Sequence, residues 1–295
     1  MGVSIAHHHL LSIIASELPA DQQEVVILDA GCGGGEFLAL LFDQLTRHRP
    51  RLAITLHGFD VSDSAVQERG YFRQALALLC QRVPGVDWNE RLRLIRSTDP
   101  WPYDDGVFDF VVSNHVLEHV TEPELFVNEV ARVLKPGGKS AHLFPVRNSL
   151  FEVHVRLPLA HWIRDHDALR GYLRLASYFG WGRYREHQRA FPGLGRTEYA
   201  ERQADFLTHF TRYWSRADIH RLAQRAKLRC SWRYTEHFYT NRLRLLLGMV
   251  PKLVQRPSRP RMLHSLLVAA LMWFSSLTVF LEKKQAYQAM DEPGS

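Results

Sequence analysis

From Glu24 onward the apolar positions fall into short unbroken runs that alternate with longer stretches of helical period. Val25-Val26-Ile27-Leu28 is the pattern of a strand buried on both faces, and Glu36–Arg47 repeats apolar residues three and four apart, as a helix with one buried face does. The alternation continues through a strand at Leu52–Phe59, a helix at Ser62–Arg82, strands at Leu92–Arg96 and Val107–Ser113, a helix at Thr121–Leu134 and a strand at Lys139–Val146. Thr121 and Glu124 have the spacing of a capping box, and Lys135-Pro136-Gly137-Gly138 closes that helix. Regular β–α alternation predicts an α/β fold with a doubly wound, mostly parallel sheet, because right-handed crossovers place helices on both faces. Ligands of such sheets bind at the carboxyl ends of the strands.

Residues 1–23 read as an amphipathic helix (Ile5, Leu10, Leu11, Ile13, Ile14, Leu18) capped by Ser4 and ended by Pro19, with His7, His8 and His9 as ordinary members of it. Residues 24–146 are the alternating core. Residues 147–205, with 10 Arg and 9 aromatics among Gly and Pro, read as a helical cap inserted over the sheet. Residues 206–240 return to the core through a Ser215-capped helix, Trp214–Leu228, and a strand or hairpin arm, Arg229–Tyr239. Residues 241–295 are basic and apolar. Leu266–Leu281 is uncharged for 16 residues and flanked by Arg256, Arg259, Arg261, Lys283 and Lys284. As a helix it would span about 24 Å against a hydrocarbon core of about 30 Å. The expectation is a C-terminal hydrophobic helix lying in an anionic leaflet, or packed on the domain or in a dimer.

A chain of 295 residues, 46% hydrophobic and 23% charged, is neither disordered nor polytopic in a membrane. Cys32, Cys80 and Cys230 are odd in number and widely spaced, so no disulfide framework or cysteine zinc site is expected. No secretory signal pattern opens the chain, which points to the cytoplasm, with a peripheral place on the inner membrane face. The net charge of +6 conceals a split: residues 1–140 hold 12 basic and 19 acidic residues (−7), and the remainder 25 and 12 (+13). The second half is therefore suited to an anionic partner.

The strongest local signal is Val25-Val26-Ile27-Leu28-Asp29-Ala30-Gly31-Cys32-Gly33-Gly34-Gly35-Glu36, a buried strand running through a glycine turn into a helix. Glycines allow positive φ and close ligand approach, and the helix start offers free N–H groups. A dinucleotide fingerprint would place its third glycine where Glu36 stands, and that carboxylate would repel a pyrophosphate, so a cationic, phosphate-free ligand fits better. The turn resembles motif I of the class I S-adenosylmethionine-dependent methyltransferases, in their small-molecule, type-11-like branch. His57-Gly58-Phe59-Asp60-Val61-Ser62, Pro102–Ser113, His115-Val116-Leu117-Glu118-His119-Val120 and Arg132-Val133-Leu134-Lys135-Pro136-Gly137-Gly138 match its later motifs in order, over about residues 24–146. The resemblance implies a Rossmann-like core and S-adenosyl-L-methionine as cofactor. It implies further that Asp29 and the backbone of Gly31, Cys32, Gly33 and Gly35 hold the methionine end, that Asp60 takes the ribose, that Val61 packs on adenine, and that Asn114 and His115 line the sulfonium. The family's acid at the adenine amine is replaced by Ser97 and Thr98, with Asp99 displaced in register.

The acceptor machinery is expected in the cap. His154 is the candidate general base, with His115 as the other catalytic candidate, and Arg147, Arg156 and His161 are placed on the acceptor. Glu152, His154 and His161 lack a zinc-site spacing, so no metal is expected. The cap also resembles envelope-associated methyltransferases with a Glu-x-His…Pro…His-Trp stretch, which together with the charge split favours oxygen of an anionic or lipid-linked small molecule or glycan intermediate. A quinone-type aromatic acceptor is the competing enzyme reading, and a non-catalytic membrane-associated binding protein the competing non-enzyme one. A basic, aromatic-rich half could bind RNA or DNA, but Ser113-Asn114-His115-Val116 carries no Asn/Asp-Pro-Pro-aromatic motif of base-modifying enzymes, which argues against nucleic acid. Oligomeric state is not legible.

Overall fold

The computed structural model describes residues 4–63, 70–252, 262, 266, 269–271 and 273–285. Strands β1 (Glu24–Ala30), β2 (Ala53–Val61), β3 (Leu92–Ile95), β4 (Phe108–Asn114) and β5 (Leu134–Pro145) run parallel. Two-residue strands β6 (Phe151–Glu152) and β7 (Leu157–Pro158) form a separate hairpin, and β8 (Leu228–Ser231) and β9 (Ser276–Lys283) complete a seven-stranded sheet of order β3-β2-β1-β4-β5-β9-β8. Side chains alternate along a strand, and β1 shows the consequence. Val25 and Ile27 enter a core shared with α1 (Ile5–Glu17), α2 (Glu36–His48) and α3 (Tyr71–Arg82). Leu28 and Ala30 face the opposite core, filled by Phe126 and Val130 of α5 (Pro123–Val133). A one-turn helix, α4 (Trp88–Arg91), leads into β3. The sheet is thus wound on both faces, mostly parallel and Rossmann-like.

Between β7 and β8 lie α6 (His166–Tyr178), α7 (Tyr184–Ala190), α8 (Arg196–His209) and α9 (Arg216–Arg225). The first and third of these bury Leu169, Leu173, Ala200 and Ala204 with Val155 and Leu157 in a small core of their own. α9 instead packs Ile219 and Ala223 on the sheet, and its Ser215 cap forms a full box with Asp218.

Several sequence expectations need correction. Leu266–Leu281 is not a hydrophobic helix: Ala269–Leu271 are helical, but Ser276–Leu281 belong to β9, antiparallel to β5 from Pro145↔Ser276 to Lys139↔Glu282 and flanked by β8. A strand buried on both faces is a continuous apolar run, and over so few residues periodicity cannot separate it from a helix. The flanking Arg256, Arg259 and Arg261 lie outside the described residues. Among the described residues no helix is long and apolar enough to cross a membrane. Arg229–Tyr239 is not one strand, since β8 ends at Ser231 and helix α10 runs from Thr235 to Leu246. Thr121 does not cap α5, which starts at Pro123 with no side-chain cap bond; proline there needs no donor partner. Pro136-Gly137-Gly138 lie inside β5, beside a register shift between Phe108 and Phe110.

Candidate active site

β1 delivers Asp29 to the carboxyl edge of the sheet, where Gly31, Gly33 and Gly35 take φ of +80°, +52° and +78°, values that L side chains rarely adopt. A Cβ on Gly31 would also stand 2.4 Å from Val116 Cγ2, so the turn lies flat against the segment after β4. The N–H groups of Gly31 and Cys32 donate to the Phe59 carbonyl (2.8 and 3.0 Å), fixing the turn to the end of β2. Next along β2, Asp60 accepts from the N–H groups of Gly33 and Val61, both at 2.7 Å.

Two clefts meet there. One, of about 730 Å³, is lined by Asp29, Gly31, Cys32, Gly33, Glu36, Asn114, His115 and by His7 of α1. The other, of about 1070 Å³, runs from Phe59, Ile95, Ser97 and Trp101 to His209, Phe210 and Arg212. Gly31, Asp60, Val61, Val116 and His119 line both. The narrower cleft has three carboxylates and, among the described residues, no lysine or arginine. Burial, with the Asp60 charge second, pushes the Asp29 carboxyl up to about 8, and burial raises Asp60 as well. The Asn114 side-chain oxygen is buried without a partner. Such a site repels phosphate and leaves acidic and carbonyl oxygens waiting for a cation or N–H donor. The amine, sulfonium and ribose hydroxyls of S-adenosylmethionine supply those groups, so the residues present fit it. Burial pushes the Cys32 thiol well up, so it is no nucleophile.

In the wider cleft the Ser97 N–H and hydroxyl both donate to the Asp63 carboxylate (2.9 Å each), and Asp99 accepts from the Arg96 N–H (3.0 Å). Asp63 and Asp99 line this cleft beside Ser97, whereas Thr98 does not.

A chain of acids and bases joins sheet to cap. His115, in the left-handed region at φ 55°, bonds Glu118 Oε1 through Nδ1 (3.1 Å) and turns toward the narrower cleft. His154 Nε2 stands 3.6 Å from the same oxygen, while its Nδ1 bonds Glu152 Oε1 (2.7 Å), which also accepts from the Tyr213 hydroxyl (2.7 Å). Burial opposes charge on all three groups, yet their mutual bonds prevail. Glu118 is held well below the usual carboxylate range, Glu152 is lowered, and His154 is raised to about 9. At neutral pH His154 is therefore an imidazolium between two carboxylates, and it lines neither cleft, which does not suit a general base. The ligating atoms of His115, Glu118 and His154 lie within 4.8 Å of one another, so this trio, like the outer His166, Glu201 and Asp205, could hold a metal ion.

The structure does not bring the expected acceptor residues into the clefts. Arg147 bonds the Tyr213 carbonyl (3.0 Å) and Asp218 (3.4 Å), Arg156 pairs with Glu186, and His161 approaches the Arg147 carbonyl (3.3 Å). The wider cleft is bounded instead by His119, whose Nδ1 bonds the Phe210 carbonyl (2.7 Å), and by His209, Phe210 and Arg212, whose N–H donates to the Glu118 carbonyl (2.6 Å). Thr208-His209-Phe210-Thr211-Arg212-Tyr213-Trp214, polar and aromatic between two helices, was the sequence signal for them.

Residues 28–142 match a family model described as a methyltransferase domain. Among curated relatives, a ubiquinone biosynthesis O-methyltransferase of Thiobacillus denitrificans is 31% identical over 112 residues, 38% of this chain and 40% of the relative. One of the same name from Xanthomonas euvesicatoria is 28% identical over 134 residues, 44% and 48% of the two chains. The matched stretch thus spans less than half the length of each relative. A solved structure of Haemonchus contortus phosphoethanolamine N-methyltransferase 2 with S-adenosyl-L-methionine superposes at a TM-score of 0.48 and 14% identity, covering 94% of this chain and 52% of that one. Ordered motifs, an acid-rich glycine cleft and the matched family model agree on an S-adenosylmethionine-dependent methyltransferase domain of class I type over residues 28–142.

Proposed function

We propose that the protein methylates a hydroxyl oxygen of a quinone-type aromatic small molecule, using S-adenosylmethionine. The observation that carries methyl transfer is the cleft at the glycine turn, where Asp29 and Asp60 are buried with, among the described residues, no lysine or arginine beside them. The aromatic acceptor is supported by the names of the curated relatives and by Leu125, Phe126 and Phe210, which give the wider cleft apolar walls. An acceptor bound through Arg147 and Arg156, as a glycan phosphate would need, finds those side chains engaged elsewhere.

When bound, the cofactor supplies a methyl group on a positively charged sulfur. Asp29, Asp60, Asn114 and the glycine-turn backbone hold and orient it. His115 Nε2 would take the proton that the acceptor hydroxyl loses on methylation. Glu118, on the other ring nitrogen, fixes the tautomer and favours the imidazolium that forms.

Calorimetry with S-adenosylmethionine, then label transfer from a methyl-labelled donor to polyprenyl catechols or to lipid-linked glycans, tests this. Binding lost in Asp60→Ala and label in the catechol are expected. Failure of the wild type to bind removes the enzyme reading, and label in the glycan alone restores the glycan acceptor.

A further inference from the structure

The end of α10 and the turn leading into β9 form an exposed apolar surface. Phe238 and Asn241 of that helix are buried, but Leu243 and Leu246 are 58% and 80% exposed, and Val250, past the helix end, is 79% exposed. The projection is folded: the buried Asn241 amide donates to the Lys252 carbonyl (2.8 Å) and accepts its N–H (2.9 Å), and Arg244 Nε donates to the Val250 carbonyl (2.9 Å). Across an apolar groove stand Phe151 and Phe274, the latter 60% exposed. The groove's far wall is stitched to the cap hairpin, since the N–H groups of Leu150 and Phe151 donate to the carbonyls of Trp273 and Phe274 (2.7 and 3.2 Å).

The charge of this stretch is one-sided. From His237 to Lys252, 16 residues hold no Asp or Glu and three cations, Arg242, Arg244 and Lys252. Exposed aliphatic side chains beside cations, with no carboxylate interspersed, match the interfacial region of an anionic bilayer, where apolar groups enter the acyl boundary and guanidinium groups meet lipid phosphates. Two copies of this chain meeting here would set like charges against each other.

We propose that the α10 tip and the Trp273–Phe274 turn dock on an anionic lipid bilayer. Leu243, Leu246 and Val250 insert, and Arg242 and Lys252 lie at the head groups. This surface is separate from the hydrophobic helix expected at Leu266–Leu281, and it does not depend on which acceptor is methylated.

Co-sedimentation of the full chain with phosphatidylcholine vesicles, with and without phosphatidylglycerol, at low and high salt, tests it. The wild type is expected to bind only vesicles containing phosphatidylglycerol, and less at high salt. Leu246→Ser with Val250→Ser should weaken binding by about tenfold or more while thermal midpoint and S-adenosylmethionine affinity stay unchanged, because both side chains stand in solvent. Arg242→Gln with Lys252→Gln should flatten the salt dependence. No binding to phosphatidylglycerol vesicles, or equal binding by the Leu246/Val250 variant, overturns the proposal. So does a dimer that this variant dissolves in the absence of any lipid binding.

Discussion

Cofactor affinity should depend on pH through Asp29. Its carboxyl is buried at 3% exposure beside Asp60 and is pushed up to about 8. Without ligand it is mostly protonated at neutral pH, and the cation-holding form is the ionised one. Binding that needs the carboxylate must therefore expel a proton, and affinity rises with pH up to about 8. Between pH 6 and 7.5 the ionised fraction grows about 25-fold, or about 1.9 kcal/mol in binding free energy, while the ligand's α-amino group stays largely charged. Calorimetry at four pH values in that window measures the slope, and repeating it in buffers of different ionisation enthalpy counts the proton released. Asp60, Glu36, His7, His115 and Cys32 line the same cleft, so Asp29→Asn is the control that isolates one group. It should bind more weakly and lose most of the slope. A flat wild-type profile, or an unchanged slope in Asp29→Asn, would refute the reasoning.

Glu118→Gln should lower kcat about 100-fold with little change in cofactor affinity, since it removes the carboxylate behind His115; unchanged single-turnover rates would dismiss that role. The His154 ring should remain charged from pH 6 to 8 and titrate near about 9 by NMR. Because its folded value is raised above 6.5, its stabilisation is complete below that pH and lost as pH rises through about 9. Phe280→Ala, in the middle of β9 and against Phe110 and Tyr234, should cost about 3–5 kcal/mol in denaturant unfolding. Glu17→Gln should cost about 1–3 kcal/mol, since Glu17 joins α1 to Lys139, Arg233 and Tyr234.

The first half of the chain was legible because each of its signals is local. A four-residue apolar run, a glycine turn and an acid at the end of β2 report on their own neighbourhoods, and the structure places Asp29, Gly31, Asp60 and Asn114 around one cleft accordingly. The second half was not, because its contacts span long sequence distances. Phe280 pairs with Ala141 across β9 and β5, and nothing within Leu266–Leu281 itself signals that partner. A chain stopped at Arg261 would lose β9, a strand from inside the sheet. The cap failed for another reason. Glu152 and His154 were visible as a pair, but a histidine becomes a base or a fixed cation according to how many carboxylates surround it. The second carboxylate, Glu118, lies 36 residues away on the turn after β4.

That shared carboxylate also ties the cap to the chemistry. Glu118 Oε1 serves His115 on the sheet side and His154 on the cap side, and its other oxygen is buried without a partner. Removing the His154 ring would leave Glu118 Oε1 to His115 alone and that imidazole less firmly held. A displaced cap would do the same. The orientation of the candidate base and the position of the cap are therefore linked through one buried oxygen, so His154→Gln should lower kcat as well as stability. A variant that lost stability with an unchanged kcat would confine His154 to holding the cap in place.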